Sequence, residues 1–154
     1  MRAVTVSTSK TAFNDIHLMT SIQKIARVAT GTIFVLAGAF KMVAPFGDFL
    51  AQMNVPFPQI MGRAVPLLEI FGGAILLLHR KFPQTIVRAF SFGLAVDMLM
   101  AIVLVGVPGL LGRAQTMQNH AIGTEPWRVP LEIALLFATL WFAWRGTERT
   151  SSTR

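Results

Sequence analysis

The chain contains no cysteine and no tyrosine, and only 14% of its 154 residues are charged. Without cysteine there can be no disulfide, thiolate metal ligand, iron–sulfur cluster or CxxC redox exchange within this sequence. The scarcity of charge argues against an ordinary soluble surface, since soluble domains carry about 25% charged residues. Hydrophobic residues make up 53% of the chain, and the mean hydropathy is +0.58. Such a composition implies a surface that mostly faces lipid.

The few charges are mostly positive: 14 Lys and Arg against 7 Asp and Glu, a net +7. An excess of this kind can indicate nucleic-acid binding. Here the longest basic run is Arg80-Lys81. Basic loops on the cytoplasmic side of a membrane protein account for the same excess, so nucleic acid is excluded as a partner and the lipid bilayer takes its place.

Four apolar segments follow a polar N-terminal tail, residues 1–24. They cover about residues 25–45, 60–79, 86–111 and 127–144. A run of about 20 residues at 1.5 Å per residue matches the bilayer core. The expected fold is therefore all-α: an integral membrane four-helix bundle in one domain, residues 25–145, with a polar C-terminal tail at 146–154. Pro45, Pro56 and Pro58 interrupt helix formation between the first two segments. Phe46, Phe49, Leu50, Met53 and Phe57 make that connection apolar, so it either dips into the interface or caps the bundle. The most polar internal stretch is 113–126. Gly31 and Gly38 are seven residues apart on one helix face, and with Gly72 and Gly73 they suit close helix packing.

Four spans put both termini on one side. That side collects Arg2, Lys10, Lys24, Arg27, Arg80, Lys81, Arg88, Arg145, Arg149 and Arg154. The other collects Lys41, Arg63, Arg113 and Arg128. Ten against four predicts cytoplasmic termini. Trp127 at one end of the last segment and Trp141 and Trp144 at the other suit two interfacial aromatic belts.

This topology gives the ionisable residues inside the spans a depth. Glu69 and Asp97 fall near the midplane, Glu132 in the outer half, and Lys41, Arg63 and Arg128 near the outer end. Ionisable residues inside spans face the bundle interior or a wet cavity and pair there. Lys41, Glu69, Asp97, Glu132 and Arg63 are thus candidates either for a buried ion pair that fixes helix register or for a site that holds a quinone head group, a proton or a small ligand. His17, His79 and His120 lie at segment ends or in loops, which argues against haem ligation, and no metal site is expected.

The residues also resemble a known family. Arg27 heads the first segment, followed by Gly31, Phe34, Gly38 and Lys41. The second segment carries Glu69, Gly72, Gly73, Leu76 and Leu77 in an E-x-x-G-G-x-x-L-L order, and Glu132 stands early in the last. Over roughly residues 25–145 this pattern resembles the DoxX family of small four-helix membrane proteins. That family is named for a membrane subunit linked to archaeal quinone-dependent respiratory and thiosulfate-oxidising enzymes, and bacterial relatives are associated with membrane oxidoreductase complexes. The resemblance implies a multi-pass protein of the inner (plasma) membrane, a subunit of an oxidoreductase complex with quinone as the cofactor to consider and other subunits as partners. The alternative is a structural or assembly subunit without chemistry. The chain departs from the pattern in two places: many relatives end with a small-residue-Asp motif, absent here, and Asp97 has no matching position.

Overall fold

The structure is a computed structural model, and it describes residues 8–111, 115–117, 120–122 and 127–145. Its elements in order are α1 (Thr8–Val43), α2 (Phe46–Gln52), α3 (Pro58–Leu77), a 3-10 turn (His79–Lys81), α4 (Gln84–Ala101), a π turn (Ile102–Gly106), α5 (Val107–Leu110), and α6 (Arg128–Arg145). Between α5 and α6 lies one short antiparallel ladder, β1 (Gln115–Met117) with β2 (His120–Ile122), which pairs Thr116 with Ala121. The fold is otherwise helical.

Among the described residues, three stretches are long and apolar enough to cross a membrane: Ser21–Val43, Pro58–Leu77 and Gln84–Leu110. Apolar side chains such as Phe40, Phe71, Phe92, Leu99 and Val103 point outward along them. Outward-facing hydrocarbon on this scale requires a lipid bilayer around it. α6 has the length of a span, but its 18 residues include Arg128, Glu132 and Arg145.

Two boundaries differ from the sequence expectation. α1 starts at Thr8, so most of the polar stretch expected as a tail is continuous helix with the first span. No Pro or Gly occurs between Thr8 and Gly31 to break it. The connection at 45–59 contains α2, which buries Phe46, Phe49 and Leu50 against Val105 and caps one end of the bundle. Pro45 precedes α2 and Pro58 opens α3, positions where a missing N–H costs no helix bond. Residues 1–7 and the C-terminal tail 146–154 lie outside the described residues.

α1 packs along α3, α3 against α4, and α4 along α6, which also reaches α1. Glycines set the closest of these approaches. A Cβ on Gly73 would lie 2.6 Å from the Gly31 carbonyl oxygen, and one on Gly31 would lie 2.9 Å from the Gly73 carbonyl oxygen. Two turns along, a Cβ on Gly38 would lie 2.7 Å from the Pro66 carbonyl oxygen. These paired contacts, 31 with 73 and 38 with 66, fix α1 and α3 antiparallel and in one register. Gly72, the neighbour of Gly73, instead makes room for Leu94 of α4. The side chains of Phe34, Leu76, Val87, Leu94 and Leu135 fill the centre. Buried Ser91 and Thr139 donate their hydroxyls to the carbonyls of Val87 and Leu135 one turn back, so neither is left unsatisfied in hydrocarbon.

The backbone contact makes a test possible. Gly73→Ala meets backbone atoms that cannot move aside and is expected to destabilise the purified protein by about 1–3 kcal/mol. Gly93→Ala meets only the end of the Leu68 side chain and is expected to be neutral or to stabilise by up to about 1 kcal/mol through helix propensity. Denaturant titration in detergent, followed by circular dichroism, reads both.

Candidate functional site

The α1–α3 register places Lys41, in the last turn of α1, beside the middle of α3. A cation is favourable at a helix C-terminus. The Lys41 Nζ donates to Glu69 Oε1 at 2.5 Å, and the Glu69 side chain is completely buried while that of Lys41 is 21% exposed. The same ammonium lies 5.1 Å from the centre of the Phe46 ring, a cation–π contact supplied by α2. Glu69 therefore meets a cation held from two sides.

Asp97 comes from α4. It is half-buried, and it lies within electrostatic reach of both Lys41 and Glu69. Its backbone lies deeper than that of Lys41, and the long Lys41 side chain bridges the difference by reaching inward from the helix end. Glu69 Oε2 and Asp97 Oδ2 are both buried without a hydrogen-bond donor. Two carboxylates so placed are satisfied together by one shared proton or a bridging water.

A second pair comes from α6. Arg128 Nε donates to Glu132 Oε1 at 2.8 Å, one turn along the helix. Glu132 is buried, and its other oxygen, Oε2, lies without a donor against Gly106 of the π turn, where a Cβ would come within 3.2 Å. The π turn has a local cause. Pro108 cannot donate to the carbonyl four residues back, and its ring crowds that carbonyl. The Val107 N–H bonds instead to the Ile102 carbonyl, five residues back.

Both pairs border one cavity of about 400 Å³ between α1, α2, α3, α4 and the start of α6. Its wall is apolar, with Phe49, Leu50, Met53, Leu68, Met100 and Leu104 among the lining side chains, and its ionisable groups are Lys41, Asp97 and Arg128. An apolar chamber of this size with a few convergent polar groups is typical of a small-molecule site. A second cavity, of about 440 Å³, lies on the other side of Lys41 and Phe46 and is lined by Asp48, Gln59 and Arg63. Gln59 Nε2 donates to Asp48 Oδ1 at 3.2 Å there.

Arg63 was a candidate partner for Glu69, but the structure places it exposed on this second cavity, without an ion pair among the described residues. Arg63 lies six residues before Glu69 on the same helix, less than two turns, and so faces a different direction, whereas Lys41 arrives from the neighbouring helix. The structure brings Lys41, Glu69 and Asp97 together, and puts Glu132 with Arg128 at the far wall. Two features were missed by sequence reasoning: Arg128 as a cavity residue, and the helical form of the capping segment α2. The spacing Phe46, Phe49, Leu50, Met53 is an i, i+3, i+4, i+7 stripe that marks a helix. Among the described residues, no three His, Asp or Glu side chains cluster as metal ligands.

The DoxX family model matches residues 22–107, more than half of the chain. The chain belongs to the DoxX family. The DoxX match includes Arg27, Gly31, Gly38, Lys41, Glu69, Gly72, Gly73 and Asp97, and ends before Arg128 and Glu132, so the α6 side of the cavity lies outside it. No curated protein and no solved structure matches the chain.

The Lys41–Glu69 pair in this DoxX protein can be tested by removing one partner and then both. Lys41→Met leaves a buried carboxylate unpaired and is expected to cost about 3–5 kcal/mol, most of it recovered in Lys41→Met with Glu69→Leu. Unfolding midpoints in detergent give the comparison.

Proposed function

We propose that this protein is a membrane-embedded subunit of a quinone-linked oxidoreductase complex in the inner (plasma) membrane. In this reading it crosses the bilayer four times, α6 being the fourth span, with both termini cytoplasmic. The charge balance supports that orientation: the α1–α3 end that bears Arg27, Arg80 and Lys81 is the basic one. Other subunits of the complex supply and receive the electrons.

The observation that carries the reading is the apolar cavity with Lys41, Asp97 and Arg128 in its wall. A quinone head group has two carbonyl oxygens on opposite edges of its ring and needs a donor at each. Lys41 and Arg128 are donors without acceptor capacity, and both border the cavity. Reduction of a quinone to a quinol takes two electrons and two protons. Asp97, beside Glu69, is the carboxylate placed to exchange a proton with the head group. The apolar wall suits the isoprenoid tail.

A structural or assembly subunit is the second reading, favoured by one observation. Each of the two half-buried cations already has its own carboxylate, Lys41 with Glu69 and Arg128 with Glu132. Self-contained pairs of this kind can serve helix register alone.

A binding measurement separates the two. A short-chain ubiquinone titrated into the purified protein is expected to bind, with Arg128→Gln or Asp97→Leu weakening it by about tenfold or more, the value of a hydrogen bond to a charged group. Phe137→Ala, on the exposed face of α6, is expected to leave binding unchanged. Absence of any quinone binding, together with recovery of the chain in a stable larger complex, decides for the assembly reading.

A further inference from the structure

A second cluster of charge lies at the other end of the α1–α3 pair. Gly31 of α1 packs against Leu77, the last residue of α3. One turn before Gly31 on α1 is Arg27. Just after Leu77 the chain makes the turn His79–Lys81. Arg27, His79 and Arg80 therefore converge, close enough for both guanidinium charges to act on the imidazole and on each other. Arg27 and His79 are half-buried, Arg80 is exposed, and His79 Nδ1 is buried without a close hydrogen-bond partner.

Among the described residues no carboxylate pairs with this cluster, and the ion pairs are Lys41–Glu69 and Arg128–Glu132, both at the opposite end of the bundle. The C-terminus of α3 points here and offers a partial negative charge of about half an electron, which is less than two guanidinium groups require. Two like charges held together, one of them half-buried, are unfavourable until an anion joins them. Burial and the two flanking arginines hold the His79 imidazole below its ordinary range, against a backbone contact at Leu77 that acts the other way.

The depth identifies the anion. The spans Pro58–Leu77 and Gln84–Leu110 both end at this turn, and Arg27 sits near the start of the span Ser21–Val43. That is the level of the lipid phosphates. We propose that Arg27, His79 and Arg80 form a binding site for a phosphate group, supplied by the headgroup of an anionic phospholipid held against the end of the α1–α3 pair. Guanidinium groups match phosphate oxygens in a forked geometry, and the imidazole stands beside them. The backbone contacts Gly31–Gly73 and Gly38–Pro66 lie between this site and the Lys41 cavity, so the two are independent.

The test uses the full purified chain in neutral detergent, with native mass spectrometry to count retained lipid. Phosphatidylglycerol is expected to be retained in preference to phosphatidylcholine, and Arg27→Gln with Arg80→Gln to reduce the preference by about fivefold for each side chain. Lys81 and Arg88 are exposed, and the control Lys81→Gln with Arg88→Gln, with the same loss of charge, is expected to keep it. In the unmodified protein, the His79 imidazole resonance is expected to move with phosphatidylglycerol and not with phosphatidylcholine. Inorganic phosphate at millimolar concentration is expected to leave the lipid bound; its displacement of the lipid overturns the lipid as source and assigns the site to a soluble phosphate. Equal retention of the two lipids, equal loss in the control pair, or an unmoved His79 resonance overturns the site.

Discussion

The backbone contact between α1 and α3 determines where everything polar in this protein can go. At Gly31–Gly73 and Gly38–Pro66 the two helices touch without side chains between them. Inside a bilayer there is little hydrophobic drive to press helices together, so van der Waals contact and shape do that work. A contact at two points, two turns apart, leaves no freedom of register. Lys41 then falls three residues beyond Gly38, and its side chain reaches Glu69 on the facing helix. A slip of one residue would rotate the ammonium away from a carboxylate that has no access to water. Packing and ion pair therefore support each other: glycine brings the helices close, and the pair penalises every other alignment.

The cavity follows from the same arrangement. Adjacent glycines divide the labour in α3, Gly73 admitting α1 and Gly72 admitting Leu94 of α4. That holds the three spans together at one level. α2 closes the open end with Phe46, Phe49 and Leu50. The result is an apolar chamber with charge only where a counter-charge stands directly behind it, Glu69 behind Lys41 and Glu132 behind Arg128. Asp97 has no such backing on its own helix, which makes it the member of the set most sensitive to whatever occupies the chamber.

Much of this was legible in the sequence, and the misses have physical reasons. Long apolar runs report spans because the bilayer sets their length, and small residues at a seven-residue spacing report a close-packed face. An isolated Glu69 in such a run demanded a partner. The choice between Lys41 and Arg63 was not readable, because it turns on the direction of side chains across a helix pair rather than on depth. Asp97 looked isolated for the same reason: depth was measured at the backbone, and a lysine spans several ångströms beyond its own. The extension of α1 back to Thr8 was hidden by polar composition, since Ser, Thr and Asn favour caps and turns without forbidding a helix interior. α2 was hidden by its flanking prolines, although its apolar stripe was in plain view.

The π turn at Ile102–Gly106 has a further consequence. Asp97 and Gly106 are nine residues apart, two and a half turns of an ideal α-helix, and would face opposite directions. Yet one borders the cavity and the other receives the Glu132 carboxylate at its far wall. By underwinding the helix between them, the π turn swings the two faces toward each other. A single span thereby serves both ion pairs, and Pro108, which forces the underwinding, becomes part of how two distant carboxylates come to address one chamber.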